Sequence, residues 1–348
     1  MISNSSKHKI DGQLAAFLSK KISEAKKVSP WLVPVIKGVR GFVMNGGKRI
    51  RPILLCHGYL AAGGEKDREI IHASICIELI HSYLLIHDDI IDRDSMRRGK
   101  PTLHRNYQVA FSETHESEHT GMSLAIVVGD ALCAWGYEVL SQSAFSQNNK
   151  AKAVHKLNTI LSDVILGQEM DILCSIKSNV ALKDVMKVLE YKTARYTIEG
   201  PLHLGAILAG ANQKILSALS EYAIPLGIAF QIQDDILGTF GDKNITGKAV
   251  DSDIQQHKKN ILIIHAQKNA TSAQAKVLDT IFKNHPVTEQ ETGKIKNVIR
   301  ETKSLEFAKA LACELVSQAK LAIEKSTIPK SSREFLMKFA DYTIKRNV

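Results

Sequence analysis

Apolar positions recur along this chain at intervals of three and four residues, the spacing of helices that each bury one face. The pattern predicts helices over about residues 6–28, 32–45, 49–61, 66–91, 102–112, 121–144, 149–172, 181–198, 200–210, 213–238, 253–268, 271–284, 287–300, 304–325 and 332–345. Gly46-Gly47, Gly63-Gly64, Pro101, Pro286 and Pro329 punctuate the series. No run alternates with period two for long enough to form a sheet, and no repeat or flexible linker divides the chain. The expectation is one all-α domain, with the helix over 6–28 peripheral. The segments 70–91, 121–144 and 213–238 are apolar through their middles, so they should be central, with a cavity at their acidic ends.

Composition narrows the picture. The 348 residues are 44% apolar, enough for a sizeable core, and 21 Gly with 8 Pro argue against a turn-rich β fold. No 18-residue apolar stretch is evident, which predicts no transmembrane helix. Met1 to Lys27 is polar and lysine-rich, without the apolar region of a secretory signal. Cys56, Cys76, Cys133, Cys174 and Cys313 are scattered and odd in number, as expected of reduced thiols in a cytoplasmic protein. The net charge of +10 admits nucleic acid, anionic lipid or small anionic substrates. The lysines are spread and aromatic residues are only 6%, so no stacking platform for nucleic acid is visible.

Two acidic clusters carry the chemistry. The apolar run ICIELIHSYLLIHDDIID (75–92) ends in Asp88, Asp89 and Asp92. Asp88 and Asp92 are four apart and share a helix face. Carboxylates there repel each other and oppose the helix dipole, unless a hard cation such as magnesium sits between them. Arg97 and Arg98 follow within a few residues, and arginines grip phosphate oxygens bidentately. A second apolar helix reaches Asp234-Asp235 and continues into a glycine-punctuated loop with Asp242, Lys248, Asp253, Lys258 and Lys259. Asp253 could equally cap the helix after it. Lys48 and Arg51, around the break Gly46-Gly47, suggest a further anion site. Lys192 and Thr193 lie between apolar stretches, an odd place for an unpaired ammonium unless substrate meets it. Two motif matches are read as decoys. His115-Glu116-Ser117-Glu118-His119 fits a zinc-site spacing in a wholly polar stretch, and 241–248 resembles a phosphate loop without a preceding strand.

The stretches GGKRIRP (46–52), HSYLLIHDDIIDRDSMRRGKPT (81–102), GQEMD (167–171), KTARY (192–196) and FQIQDDILGTFGDKNITGK (230–248) together resemble the trans-isoprenyl diphosphate synthases, or polyprenyl synthetases. That resemblance implies an all-α isoprenoid synthase bundle and a magnesium-dependent prenyltransferase that joins isopentenyl diphosphate to an allylic diphosphate. It implies three magnesium ions per active site, held by Asp88 and Asp92 with Asp89 in support, and by Asp234 with Asp235 behind it. It assigns Arg97, Lys192, Thr193, Gln231, Lys248 and Lys258 to the allylic diphosphate, and Lys48, Arg51, His81 and Arg98 to isopentenyl diphosphate. It also implies a homodimer. Gly238, Asp251 and the run Gln256 to Asn260 depart from the commonest pattern, and the last leaves the diphosphate contact open between Lys258 and Lys259.

Product length should depend on the side chains N-terminal to Asp88. Tyr83 lies about 7.5 Å down the helix axis from it. An aromatic at Tyr83, a non-aromatic Leu84 and no insertion resemble the geranylgeranyl (C20) type. The alternatives are the same chemistry with a C15 or a C25 or longer product, a class I terpene cyclase, and a non-catalytic helical partner subunit.

Overall fold

The structure, a computed structural model, describes residues 4–113, 115–241, 252–255, 257–281 and 287–345. In chain order the helices are α1 (Asn4–Val28), α2 (Leu32–Met44), α3 (Ile50–Ala61), α4 (Asp67–Ile91), α5 (Leu103–Ala110), α6 (Ser117–Gln142), α7 (Gln147–Ile176) and α8 (Leu182–Val188). A π-helix, Leu189–Glu199, follows, then α9 (Gly200–Leu208), α10 (Gln213–Phe240), α11 (Ser252–Gln255), α12 (Ile261–Asn269), α13 (Ser272–Ile281), α14 (Glu289–Glu301), α15 (Ser304–Glu324) and α16 (Lys330–Ile344). The fold is all-α, as the periodicity predicts.

Contacts group the chain into two compact units. The first comprises Ile2–His155 with Leu204–Ala211, and the second Lys156–His203 with Asn212–Val348. In the first, α4 lies along α6, and α5 also packs on α6. Ile75, Cys76, Ile77, Leu79 and Ile80 of α4 are all fully buried, so this helix is covered on every side. Helix α1 buries Ile10, Leu14 and Leu18 completely. In the second unit, α10 packs against both the π-helix and α15. Asn212 starts α10 by accepting a hydrogen bond from the Ile215 amide (3.1 Å).

The structure departs from the sequence reading at four places. Between α4 and α5, β1 (Met96–Arg97) pairs antiparallel with β2 (Lys100–Pro101). This two-residue hairpin turns through Arg98 and Gly99, both at positive φ (51° and 72°), as a tight hairpin with right-handed twist requires. The helix expected over 181–198 changes at Leu189 from α to π winding. The helix expected over 253–268 is two, α11 and α12, and the Asn260 side chain caps the second. Finally, α4, α6 and α10 are long and apolar enough to cross a bilayer, contrary to the sequence expectation. A helix surrounded by other helices needs the same apolar composition as one surrounded by lipid, and 67% of the α4 window is buried inside the protein.

Candidate active site

In the first unit the acidic cluster sits at the C-terminal end of α4. The Asp92 amide donates to the Asp88 carbonyl (2.8 Å), so the two residues lie one turn apart and both remain half-buried. Asp89, about 100° further round the helix from Asp88, is fully buried. Its Oδ1 accepts from Arg97 Nε (2.6 Å) and lies 2.5 Å from Arg97 Nη2. The β1–β2 hairpin makes this possible by folding Arg97 back over the helix end. Burial pushes the Asp89 carboxyl up to about 6 against the pull of Arg97, with Asp94 and Asp88 adding repulsion. The carboxyls of Asp88 and Asp92 form an all-oxygen donor set, which suits magnesium. The neighbouring imidazole of His87 is engaged elsewhere, 3.1 Å from the Ile126 carbonyl on α6.

A basic cradle lies in the same unit. Gly46 and Gly47 stand at φ 75° and 110°, a conformation that lets the chain turn into α3. Arg98 Nη1 donates to the carbonyls of Asn45 (3.3 Å) and Gly46 (3.1 Å), tying the hairpin to this turn. Arg49 is a non-glycine residue at φ 51°. It is held there by three anchors: Asp11 on α1 (2.7 Å), Glu78 on α4 (2.6 Å) and the Val43 carbonyl of α2 (2.9 Å). His81 is half-buried on α4, and its pKa lies well below the ordinary histidine range. Burial is the first cause, followed by the charges of Arg51, Arg98, Arg97 and Arg49. The structure therefore gathers His81, Arg51 and Arg98, three of the residues that the family resemblance assigns to one anion. Lys48 lies on the same turn.

The second unit holds the other cluster. Asp234 is half-buried and Asp235 buried near the end of α10. Gln231, one turn earlier, donates from Nε2 to Asp235 Oδ1 (2.9 Å) and accepts from the Thr193 hydroxyl (2.9 Å). Thr193 belongs to the π-helix, a winding often found at functional sites. Two glycines flank this segment. A Cβ on Gly167 of α7 would meet the Lys192 amide nitrogen at 2.3 Å, and one on Gly227 of α10 would meet Ala194 Cα at 2.4 Å. The bare backbones let both helices close on Lys192-Thr193-Ala194. Lys192 is not unpaired, as the sequence suggests, because its ammonium lies 2.6 Å from Asp171 of α7.

Asp171 and Arg49 make ion pairs at the candidate site that motif reading passes over. GQEMD (167–171) is visible as a motif, yet only the fold shows that its Asp meets Lys192. Lys248 lies outside the described residues, as does most of the phosphate-loop look-alike over 241–248. Lys258 is described and half-buried, while Lys259 donates to the Lys177 carbonyl. The zinc-like spacing of His115 to His119 runs from the exposed turn before α6 into its first residues, where Glu118 pairs with Arg105 (3.1 Å). Among the described residues no group of three or more His, Cys, Asp or Glu is placed to hold a metal by itself. Tyr83 and Leu84 are half-buried on α4, and the Tyr83 ring meets the His87 ring edge-on, 4.8 Å between centroids.

Comparison with known proteins bears on this arrangement. The polyprenyl synthetase family model matches residues 35–301. A geranylgeranyl diphosphate synthase of Saccharolobus solfataricus is 32% identical over 304 residues, 86% of this chain and 87% of that protein. A geranylfarnesyl diphosphate synthase of Aeropyrum pernix is 32% identical over 87% of this chain and 92% of its own length. Among solved structures, a geranylgeranyl pyrophosphate synthase from Corynebacterium glutamicum, complexed with isoprenyl diphosphate and magnesium, superposes with a TM-score of 0.93. That structure is 31% identical and the match covers 99% of both chains.

Proposed function

The chain belongs to the polyprenyl synthetase family and is a trans-prenyltransferase, and we propose that it joins isopentenyl diphosphate to an allylic diphosphate to make geranylgeranyl diphosphate. The observation that carries this reading is the basic cradle of Arg51 and Arg98 around His81, with Lys48 on the same turn. None of its members belongs to the carboxylate cluster of Asp88 and Asp92, which Arg97 adjoins. A terpene cyclase has one diphosphate to hold, whereas a chain-joining enzyme has two.

In this reading Lys48, Arg51, His81 and Arg98 seat isopentenyl diphosphate. The low pKa of His81 keeps its ring neutral, so it offers an N–H to phosphate oxygen without adding charge to a crowded cationic site. Asp88, Asp92 and Asp234 hold magnesium, with Asp89 and Asp235 behind them. Magnesium, when bound, supplies the positive charge that stabilises a departing diphosphate. Asp89 orients Arg97, and Asp171 orients Lys192, toward the allylic diphosphate. Gln231, Thr193, Lys248 and Lys258 complete that set. The allylic carbon–oxygen bond breaks with its electron pair passing to diphosphate. The double bond of isopentenyl diphosphate then forms the new carbon–carbon bond, and a proton leaves to the released diphosphate. The Thr193 hydroxyl and the carbonyl dipoles of the π-helix ease the intermediate positive charge, and the apolar helices exclude water from it.

Tyr83 limits the tail at C20, with Leu84 beside it. The reading includes three magnesium ions per active site, a homodimer, no transmembrane segment and no nucleic-acid partner. Five free cysteines support a cytoplasmic setting. The test is to incubate the purified chain with labelled isopentenyl diphosphate and each allylic primer, with and without magnesium, and size the products. C20 product that requires both magnesium and isopentenyl diphosphate is expected. A C15 or C25 ceiling overturns the product assignment alone, and turnover without isopentenyl diphosphate overturns the two-substrate reading.

A further inference from the structure

The corner between α1 and α2 carries an exposed apolar tip that none of the other described residues covers. Val28, Trp31 and Leu32 are 79%, 87% and 39% exposed. Single exposed apolar residues are ordinary, but three within five residues, one a tryptophan, are not. The corner is nevertheless ordered. The Trp31 amide donates to Ser29 Oγ (3.2 Å) and the Leu32 amide to the Ser29 carbonyl (3.2 Å). Helix α2 buries Val35, Val39 and Val43 against the protein and turns Lys37 and Arg40 outward. Lys26 and Lys27 are exposed in the last turn of α1. Among the described residues none of these four cations makes an ion pair. No Asp or Glu occurs anywhere between residues 25 and 64. The carboxylate one turn back, Glu24, is already engaged by Lys21 (2.9 Å) and Lys20 (3.7 Å).

We propose that this corner docks the protein on an anionic lipid surface, with Trp31, Leu32 and Val28 entering the boundary between headgroups and acyl chains and Lys26, Lys27, Lys37 and Arg40 meeting lipid phosphates. Tryptophan favours that boundary because it has an apolar body and a polar N–H. Neither an apolar tip nor a basic patch alone gives firm attachment, but the two together do. A second copy of the chain is a poorer occupant, since three apolar side chains fall well short of a stable dimer interface and four cations would face four. Nucleic acid is poorer too, because the one aromatic caps a convex corner and is not part of a stacking groove. The inference is independent of product length.

The test is flotation of the full-length protein with vesicles of phosphatidylcholine alone or with about a third phosphatidylglycerol, in low and high salt. Wild type is expected to float with the anionic vesicles only and to be released by salt. Each surface cation is worth roughly fivefold in partitioning, so Lys26→Gln/Lys27→Gln/Lys37→Gln/Arg40→Gln should lower it at least about a hundredfold. Trp31→Ala should lower it about tenfold, with partial recovery in Trp31→Phe. The rate of prenyl transfer from soluble substrates should be unchanged in all three variants, which also checks that they fold. The proposal falls if wild type does not float with anionic vesicles, or if Trp31→Ala floats as well as wild type. It falls equally if Trp31→Ala halves the mass by light scattering, or if the four cations instead retain an oligonucleotide.

Discussion

Replacing Gly227 by alanine tests whether close helix contact sets the π-helix in place. The added Cβ would stand 2.4 Å from Ala194 Cα and 2.6 Å from Ala194 Cβ. Carbon atoms rest at about 3.5–4 Å, so α10 and the π-helix must part by roughly 1 Å at this point. The Thr193–Gln231 hydrogen bond, 2.9 Å long and one turn further along α10, would stretch to nearly 4 Å and be lost. Overpacking costs about 1–3 kcal/mol and the lost hydrogen bond about 1, against a helix-propensity gain of about 1 for Gly→Ala. The expected net destabilisation is about 1–3 kcal/mol. Turnover should fall more steeply, by about a hundredfold, because a displacement near 1 Å misaligns reacting groups. Urea denaturation and initial rates of prenyl transfer measure the two effects. Gly12→Ala is the control: nothing lies within 4 Å of its Cβ position, and it should be neutral or slightly stabilising. Wild-type denaturation and wild-type turnover in Gly227→Ala would refute the reasoning.

Arg49→Met removes the partner of buried Glu78 and should destabilise the protein by about 3–5 kcal/mol, seen as a lowered thermal midpoint; an unchanged melt would mean the buried pair adds nothing. Burial holds the His57 imidazole down to about 4, so it stays neutral in the fold while the unfolded chain takes up a proton below about 6.5. Its contribution is therefore intact above pH 6.5 and declines toward pH 4 by roughly 1.4 kcal/mol per pH unit. His57→Gln should flatten the pH dependence of denaturation over that window, and an identical slope would contradict the assignment. Tyr83→Ala should yield products longer than C20 by chromatography, whereas an unaltered length would leave Tyr83 as a packing residue only. Asp88→Ala and Asp234→Ala should each lower turnover by several orders of magnitude with circular dichroism preserved, and near-normal rates in either would count against paired carboxylate clusters.

Much of this protein is legible one helix at a time. The spacing of apolar positions fixes nearly every helix, and the four-residue step from Asp88 to Asp92 fixes their common face, because both follow from the helix's own repeat. The motifs around Gly46, Asp88, Lys192 and Asp234 are read in the same way. What the chain does across helices is not legible. Asp171 and Lys192 are 21 residues apart, and Arg49 reaches Asp11 over 38 and Glu78 over 29. Which carboxylate each cation meets depends on which helices lie side by side, and no local spacing carries that information. The same limit applies to the π-helix, which Gly167 of α7 and Gly227 of α10 approach too closely for a Cβ at either position. It also explains why α4 reads alike for a bilayer and for a helical core. An isolated helix defines its own faces, but its neighbours decide what each face meets, since burial and pairing are properties of the packed chain.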